Sequence, residues 1–199
     1  MNVKIQYDTE FMAGVYSHDS LYLNSYSISV SLLTKTQDSE STNIAMERVK
    51  CFMHHVLCDT VFFGPNDHET AEVFQMMGTN VTILPEEPVD QIIGIMLYCK
   101  LNAIMQDRMC VTSLNISSIL GDNIWFLFDE DDALGPFAKE GWWHEPSVQH
   151  TIEQPEAVPE NVVKVTPSAW HEYGFIWPED KSENRSNTVA YPNFKKNEN

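Results

Sequence analysis

The sequence predicts an α+β fold, with an antiparallel sheet built from N- and C-terminal hairpins, packed against two main helices and followed by an extended, aromatic-rich tail. Three observations predict it. Apolar and polar residues alternate near the N-terminus and strand-like runs return at 110–128. Apolar residues recur at helical spacing in two stretches between them. Regular periodicity then stops near residue 130, and seven of the ten prolines and four of the five tryptophans fall in 131–199. The organisation is therefore an α+β domain over 1–130 and a Pro/Trp-rich C-terminal arm over 131–199. No internal repeat is visible.

Residues 2–7 alternate as a half-buried strand does. In 22–32, Tyr22, Tyr26, Ile28, Val30 and Leu32 share one face, and Ser25, Ser27, Ser29 and Ser31 the other. That is a long strand with one wet face. The two strands are expected to turn around Gly14. Polar residues 35–43 read as a loop. Ser41 or Thr42 is the expected cap of a helix over 43–57, whose broad apolar face runs from Ala45 to Leu57. Thr60–Phe63 reads as a short strand and 67–77 as a short helix closed by Gly78. Val81–Leu84 is a further short strand. Pro88 suits the first position of a helix over 89–107 that is apolar almost all round, so it is expected to be buried or covered by a partner subunit. Strands over 110–118 and 123–128 follow, the second apolar on both faces and expected to be covered on both.

Composition narrows the function. Lys and Arg total 12 against 29 Asp and Glu, a formal charge of −17. Phosphate binding needs clustered cations, so no nucleic-acid partner is expected. No run of about 18 apolar residues points to a membrane partner. The N-terminus lacks the basic-then-apolar pattern of a secretory signal, so the expected location is the cytoplasm, the host's cytoplasm if the chain is phage-encoded. Cys51, Cys58, Cys99 and Cys110 then read as reduced structural thiols, and the sequons at Asn80, Asn115 and Asn184 carry no meaning.

Candidate sites are few. At 100° per residue, Cys51, His55 and Cys58 fall on one side of the first helix, and thiolates with an imidazole are zinc ligands. A fourth ligand at a recognisable spacing is missing, so neither a metal nor any other cofactor is expected. Asp129, Glu130, Asp131 and Asp132 form a carboxylate run without the glycine and glutamate of a calcium loop. Glu86, Glu87, Asp90 and Gln91 cluster at the start of the long helix, where negative charge suits the helix dipole. No phosphate-binding glycine loop, nucleophile elbow or zinc-protease motif occurs. In the arm, Trp142, Trp143, Trp170 and Trp177 are candidate anchors, packing on their own domain or gripping a partner.

Two hairpins flanking two helices resemble, over 1–129, the tunnelling fold of pterin- and deazapurine-handling enzymes. That resemblance implies an enzyme acting on a pterin or purine-like molecule at a subunit interface, with a carboxylate anchoring the ring. By position, Glu87 takes that part, with Gln91 beside it. The zinc-binding His-x-His of the family's synthases and a reductase-type nucleophile motif are both absent. Separately, Pro88–Ile104 and Gly141-Trp142-Trp143-His144 look similar to uncharacterised proteins of contractile-tailed phages infecting marine bacteria, which implies no known activity.

The absence of motifs, the apolar helix and the aromatic arm favour a non-enzymatic accessory or assembly protein that binds a protein partner or itself as a homo-oligomer. A tunnelling-fold enzyme is the alternative. An acidic DNA mimic, suggested by the net charge, is the second.

Overall fold

A computed structural model of the chain describes residues 2–148 and 169–180. Pro155, Pro159, Pro167, the Asn184 sequon, and Tyr191 and Phe194 in the polar C-terminal end all lie outside the described residues.

The fold is mixed α+β, with a six-stranded sheet and three α-helices. Strand β1 spans Lys4–Ser17 and β2 spans Ser20–Thr34. They pair antiparallel along their whole length, from Lys4 opposite Leu33 to Ser17 opposite Ser20. The turn lies at His18–Asp19, both at positive φ (52° and 57°), and not at Gly14. That is the two-residue turn whose twist matches paired strands. Gly14 sits inside β1 instead. The alternation of Ile5, Tyr7, Thr9, Phe11, Ala13 and Val15 carries the strand past it. A Cβ at residue 14 would lie 3.0 Å from side-chain atoms of both Leu21 and Val61.

Helix α1 spans Ser39–Cys51, and its cap is Asp38 rather than Ser41 or Thr42. The Asp38 carboxylate accepts from the amides of Glu40 (3.2 Å) and Ser41 (2.9 Å). The chain then continues as a π-helical turn over Phe52–Leu57. Short strands β3 (Val61–Phe63) and β4 (Val81–Ile83) flank α2 (His68–Met76). Helix α3 runs from Asp90 to Met105 and ends on Gln106 in the left-handed conformation. Strands β5 (Met109–Ser118) and β6 (Phe126–Asp129) complete the sheet.

The strand order is β4-β3-β1-β2-β5-β6. β3 and β4 add parallel to β1, and the other pairs are antiparallel. The main core lies between the sheet's inner face (Phe11, Tyr26, Ile28, Val30, Leu114, Ile116) and α1 with α3. A small second core, Val61, Phe63, Ala71 and Val81, sits under α2.

One expectation changes here. β6 is short and half bare: Leu127 is 68 % exposed, because an edge strand has no helix over its outer face. Helix α3 is buried nearly all round, as expected, and this chain's own arm supplies cover on its outer side. Short 3-10 turns at Gly135–Ala138 and Trp142–His144 lie against it and place Phe137 and Trp142 on its outer side.

Inside α3, Gly94 lets the helix meet β6. A Cβ there would lie 2.3 Å from the Phe128 ring and 2.9 Å from Ile116. Gly94→Ala, which favours an open helix by about 1 kcal/mol, is expected to lower stability here by about 1–3 kcal/mol through overpacking. The drop in melting temperature should be largely recovered in Gly94→Ala/Phe128→Leu. A chain ending at residue 134 is expected to aggregate or melt well below the full chain, since α3 loses its cover. Light scattering and calorimetry check both.

Candidate functional site

Two places concentrate polar chemistry. The first is where β2, β5 and the start of α3 meet. Asp90 occupies the first position of α3 and shares the inward stripe of Ile93, Gly94 and Leu97, so its side chain is carried to the sheet. The Ser118 hydroxyl lies 2.9 and 2.8 Å from the two carboxylate oxygens of Asp90, able to donate to either. That same hydroxyl oxygen accepts the Gly121 amide (3.0 Å). A Cβ at Gly121 would sit 2.3 Å from Asp90 Oδ2, so this turn needs glycine to close over the carboxylate. Asn24 Oδ1 accepts from the amides of Ser25 (3.0 Å) and Leu120 (3.1 Å), tying the hairpin ends together.

Tyr26 completes the floor. Its ring stacks on Phe11 (4.9 Å) and meets Phe62 edge-on (6.1 Å). Its buried hydroxyl has no hydrogen-bond partner among the described residues. Burial pushes the phenol pKa up and the Asp90 charge adds to this. Asn24 pulls the other way. Burial likewise raises the Asp90 pKa, against the pull of Ser118.

The hairpin ends expose large apolar side chains: Leu21, Tyr22 and Leu23 from β2, Ile119 and Leu120 from the turn after β5, and Ile124, Trp125 and Leu127 from the approach to β6 and β6 itself. Alternation puts Leu21, Leu23 and Leu127 on the outer sheet face, opposite to Tyr26. Backbone bonds from Ile119 to Ser25 and from Asn123 to Ser118 hold the turn after β5 against β2; these exposed side chains are called the rim below.

The second place is the seat of the arm. Lys100, in the middle of α3, is fully buried. Its ammonium donates to the carbonyls of Trp142 (2.9 Å) and Glu145 (2.8 Å) and lies 5.5 Å from the Trp142 ring. Burial lowers its pKa to about 7, partly opposed by Glu145. Arg48 of α1 is held between the rings of Trp177 (3.9 Å) and Trp170 (5.1 Å). It donates twice to the Phe175 carbonyl (3.1 and 2.7 Å) and once to Gln106 Oε1 (3.1 Å). Burial lowers its pKa to about 10, so it stays charged at neutral pH. An open surface depression lies here among the described residues, lined by Arg48, Gln106, Ser147, Trp170, Trp177 and Asp180 among others.

The residues singled out from sequence fall as follows. Glu87 and Gln91 are exposed, while Asp90 between them is the carboxylate turned inward. The helical period should have marked it, since Asp90 lies three and four residues before Ile93 and Gly94. Cys51 is buried and His55 exposed, so these two ligands and Cys58 do not converge. The π-helical turn, with more residues per turn than 3.6, breaks the shared face that the α-helical wheel implied. Among the described residues no three His, Cys, Asp or Glu side chains are placed to hold a metal. Asp129 and Asp132 spend their carboxylates on the amides of Asp131 and Asp129 in an exposed turn. Trp142, Trp170 and Trp177 are buried against their own chain, and Trp143 is half-buried with its indole shared between the Phe137 and Lys139 carbonyls. Lys100 and Arg48 were missed. A lone lysine in an otherwise apolar helix was the available signal.

No family model matches the chain, and no curated protein does. Solved structures that match include an uncharacterized protein from Wolinella succinogenes, at 12% identity and a TM-score of 0.47, over 66% of this chain and 99% of that one. A 6-pyruvoyl tetrahydropterin synthase from Plasmodium vivax matches at 11% identity and a TM-score of 0.42, over 64% of this chain and 97% of that one. The Plasmodium falciparum enzyme of the same name matches at 12% identity and a TM-score of 0.40, over 64% and 96%. Two of these three are synthases of the group whose topology the sequence resembles. Likeness at this level assigns no chemistry to this chain. No helix among the described residues is long and apolar enough to cross a membrane.

The floor site yields a sign-checked expectation. The Asp90 pKa is raised in the fold, so its contribution to stability is fully present below the ordinary carboxylate pKa and is lost as pH rises through the folded value. Asp90→Asn, which cannot ionise, is therefore expected to melt higher than the parent at pH 7. The difference should shrink as pH falls toward 4, which parallel melting curves at both pH values would show.

Proposed function

We propose that this chain is a self-associating assembly protein whose contact surface is the apolar rim at the hairpin end of its sheet. The observation that carries the reading is the rim itself. Its eight large side chains are each about half open or more, and exposed apolar surface of this kind marks interaction sites. The sheet beside it is open as well, since β6 ends the strand order with one edge unpaired, and an apolar edge strand is a template for pairing. The arm does not compete for this role, because its tryptophans are already placed on α1 and α3. An origin in a phage would fit such an accessory role and rests on the resemblance of 88–104 and 141–144 alone.

A second reading is favoured by one observation, the partnerless Tyr26 hydroxyl beside Asp90, whose pKa burial raises. In it, the assembly completes a polar site at this floor for a flat, hydrogen-bonding small molecule of the pterin or purine kind. The assembly is common to both readings.

Light scattering at micromolar concentration is expected to give a mass of at least two chains. Leu23→Glu with Leu127→Glu should reduce it to one chain while leaving the melting temperature of the subunit nearly unchanged. A strict monomer for the parent protein rejects the proposal. A rise in melting temperature with a pterin or purine, abolished by Tyr26→Phe, would select the second reading over the first.

A further inference from the structure

The unpaired edge of β6 carries an inference that rests on the self-association proposed above and extends it to a register. We propose that two copies join edge to edge through β6, antiparallel about a two-fold axis at Phe126, so that Leu127 of each copy pairs with Trp125 of the other. The Ile119 amide bonds to the Ser25 carbonyl, so odd residues of β5 turn their backbone groups to β2 and even ones to β6. Phe126 and Phe128, opposite Ile116 and Leu114, therefore hold β5, and Trp125, Leu127 and Asp129 face outward. Asp129 is already engaged. Its amide donates to the Asp132 carboxylate (2.8 Å) and its carbonyl accepts the Asp132 amide (3.3 Å). No described residue bonds the backbone groups of Trp125 or Leu127.

Two outward residues on either side of Phe126 suit a two-fold pairing. Each Leu127 amide meets a Trp125 carbonyl across the axis, and each Trp125 amide a Leu127 carbonyl. Residues directly opposite share a face and touch. Trp125 and Leu127 are 48% and 68% exposed, so the pairing also covers apolar area on the outer side of the sheet.

Charge favours this neighbour and this direction. The run Asp129, Glu130, Asp131 and Asp132 follows β6 directly. A parallel pairing would set the two runs side by side, about 5 Å apart. The antiparallel pairing sets them about 20 Å apart, beyond the ~8 Å over which charges act at physiological salt. One like-charge approach remains, Asp122 of each copy beside the run of the other. The remaining edges fit less well. β1 meets β3 only at Gly14 and Val15, and its open stretch carries Asp8 and Glu10 on the exposed face. On β4 the Ile83 carbonyl accepts from the Trp142 indole (3.3 Å).

Light scattering on the full chain at micromolar concentration is expected to give two chains. Leu127→Pro removes only an outward N–H, a position where a strand tolerates proline, and should give one chain. Leu127→Val should stay at two. Asp122→Asn should lower the dissociation constant on the order of 5-fold at low salt, and the gap should close in about 1 M salt. In amide hydrogen exchange, Trp125 and Leu127 should gain protection as the dimer forms, while Asp129 stays level. A monomeric parent overturns the pairing together with the proposed function. Four results overturn the pairing alone and leave contact through the faces of the rim: a mass above two chains, a dimer that survives Leu127→Pro, unprotected Trp125 and Leu127 amides in the dimer, or equal dissociation constants for the parent and Asp122→Asn at low salt. Should Leu127→Pro fail to fold, the exchange of those two amides in the parent protein decides.

Discussion

Lys100 places an ammonium in the middle of an apolar helix, and a buried ammonium costs several kcal/mol unless it is fully hydrogen-bonded. The carbonyls of Trp142 and Glu145 lower that cost, so the helix, the cation and the arm form one unit. The reason lies in the sheet. It has one inner face, and α3 lies on that face while being apolar on its far side too. A second layer must cover it. Here that layer is a stretch of 3-10 turns and extended chain, with tryptophans supplying the area that a helix would otherwise give. Arg48 repeats the device on α1, with the Phe175 carbonyl as acceptor and two indole faces as walls. In both cases a core cation reads the backbone of the arm. The arm's path is thereby fixed by hydrogen-bond acceptors that every residue possesses, and its sequence is constrained mainly at the tryptophans.

The sheet and helices were legible from sequence because their periods are clean. The alternation of 22–32 and the apolar run of 89–107 place β2 and α3 within a few residues of where they lie. What was not legible has particular causes. The strand expected over 2–7 runs on to Ser17, with Asp8 and Glu10 on its wet face and Thr9, Phe11 and Ala13 continuing its inner face. The turn was assigned to Gly14 because glycine is the commonest turn residue, whereas His18 and Asp19 take the positive φ themselves. The π-helical turn leaves no composition signal, so the Cys51, His55 and Cys58 wheel was drawn with the wrong angle.

Site legibility failed differently. Charge at a helix start has an ordinary explanation in the helix dipole, which made Glu87 and Asp90 look alike. Only the position of Asp90 relative to Ile93 and Gly94 separates them, and that requires knowing which turn is the first of the helix. Lys100 was hidden by its own neighbourhood, since a helix counted as apolar on average does not draw attention to its one cation. Both lessons concern exceptions within a pattern: a polar residue on the buried stripe has to be provided for by something else in the fold.

The distribution of charge then restricts where this chain can meet another. With 12 Lys and Arg against 29 Asp and Glu, withdrawing Arg48 and Lys100 into the interior leaves the surface more acidic than the formal balance suggests. Two copies approaching at random repel, and at physiological salt that repulsion acts over about 8 Å. Close contact is tolerable only where carboxylates are sparse and apolar area is large. Strands β2 and β5 supply few charges of their own: between residues 20 and 28 there is none, and between 109 and 128 only Asp122, while Asp19 in the turn and Glu10 opposite Ser27 are the carboxylates nearest to the β2 end. The outer face of β2 and β5 beside it carries small Ser25, Ser27 and Ser113, with Glu10 opposite Ser27 and Asp129 opposite Ser113. Acidity elsewhere on the chain thus disfavours contact away from these apolar stretches, which is the condition that the proposed self-association requires.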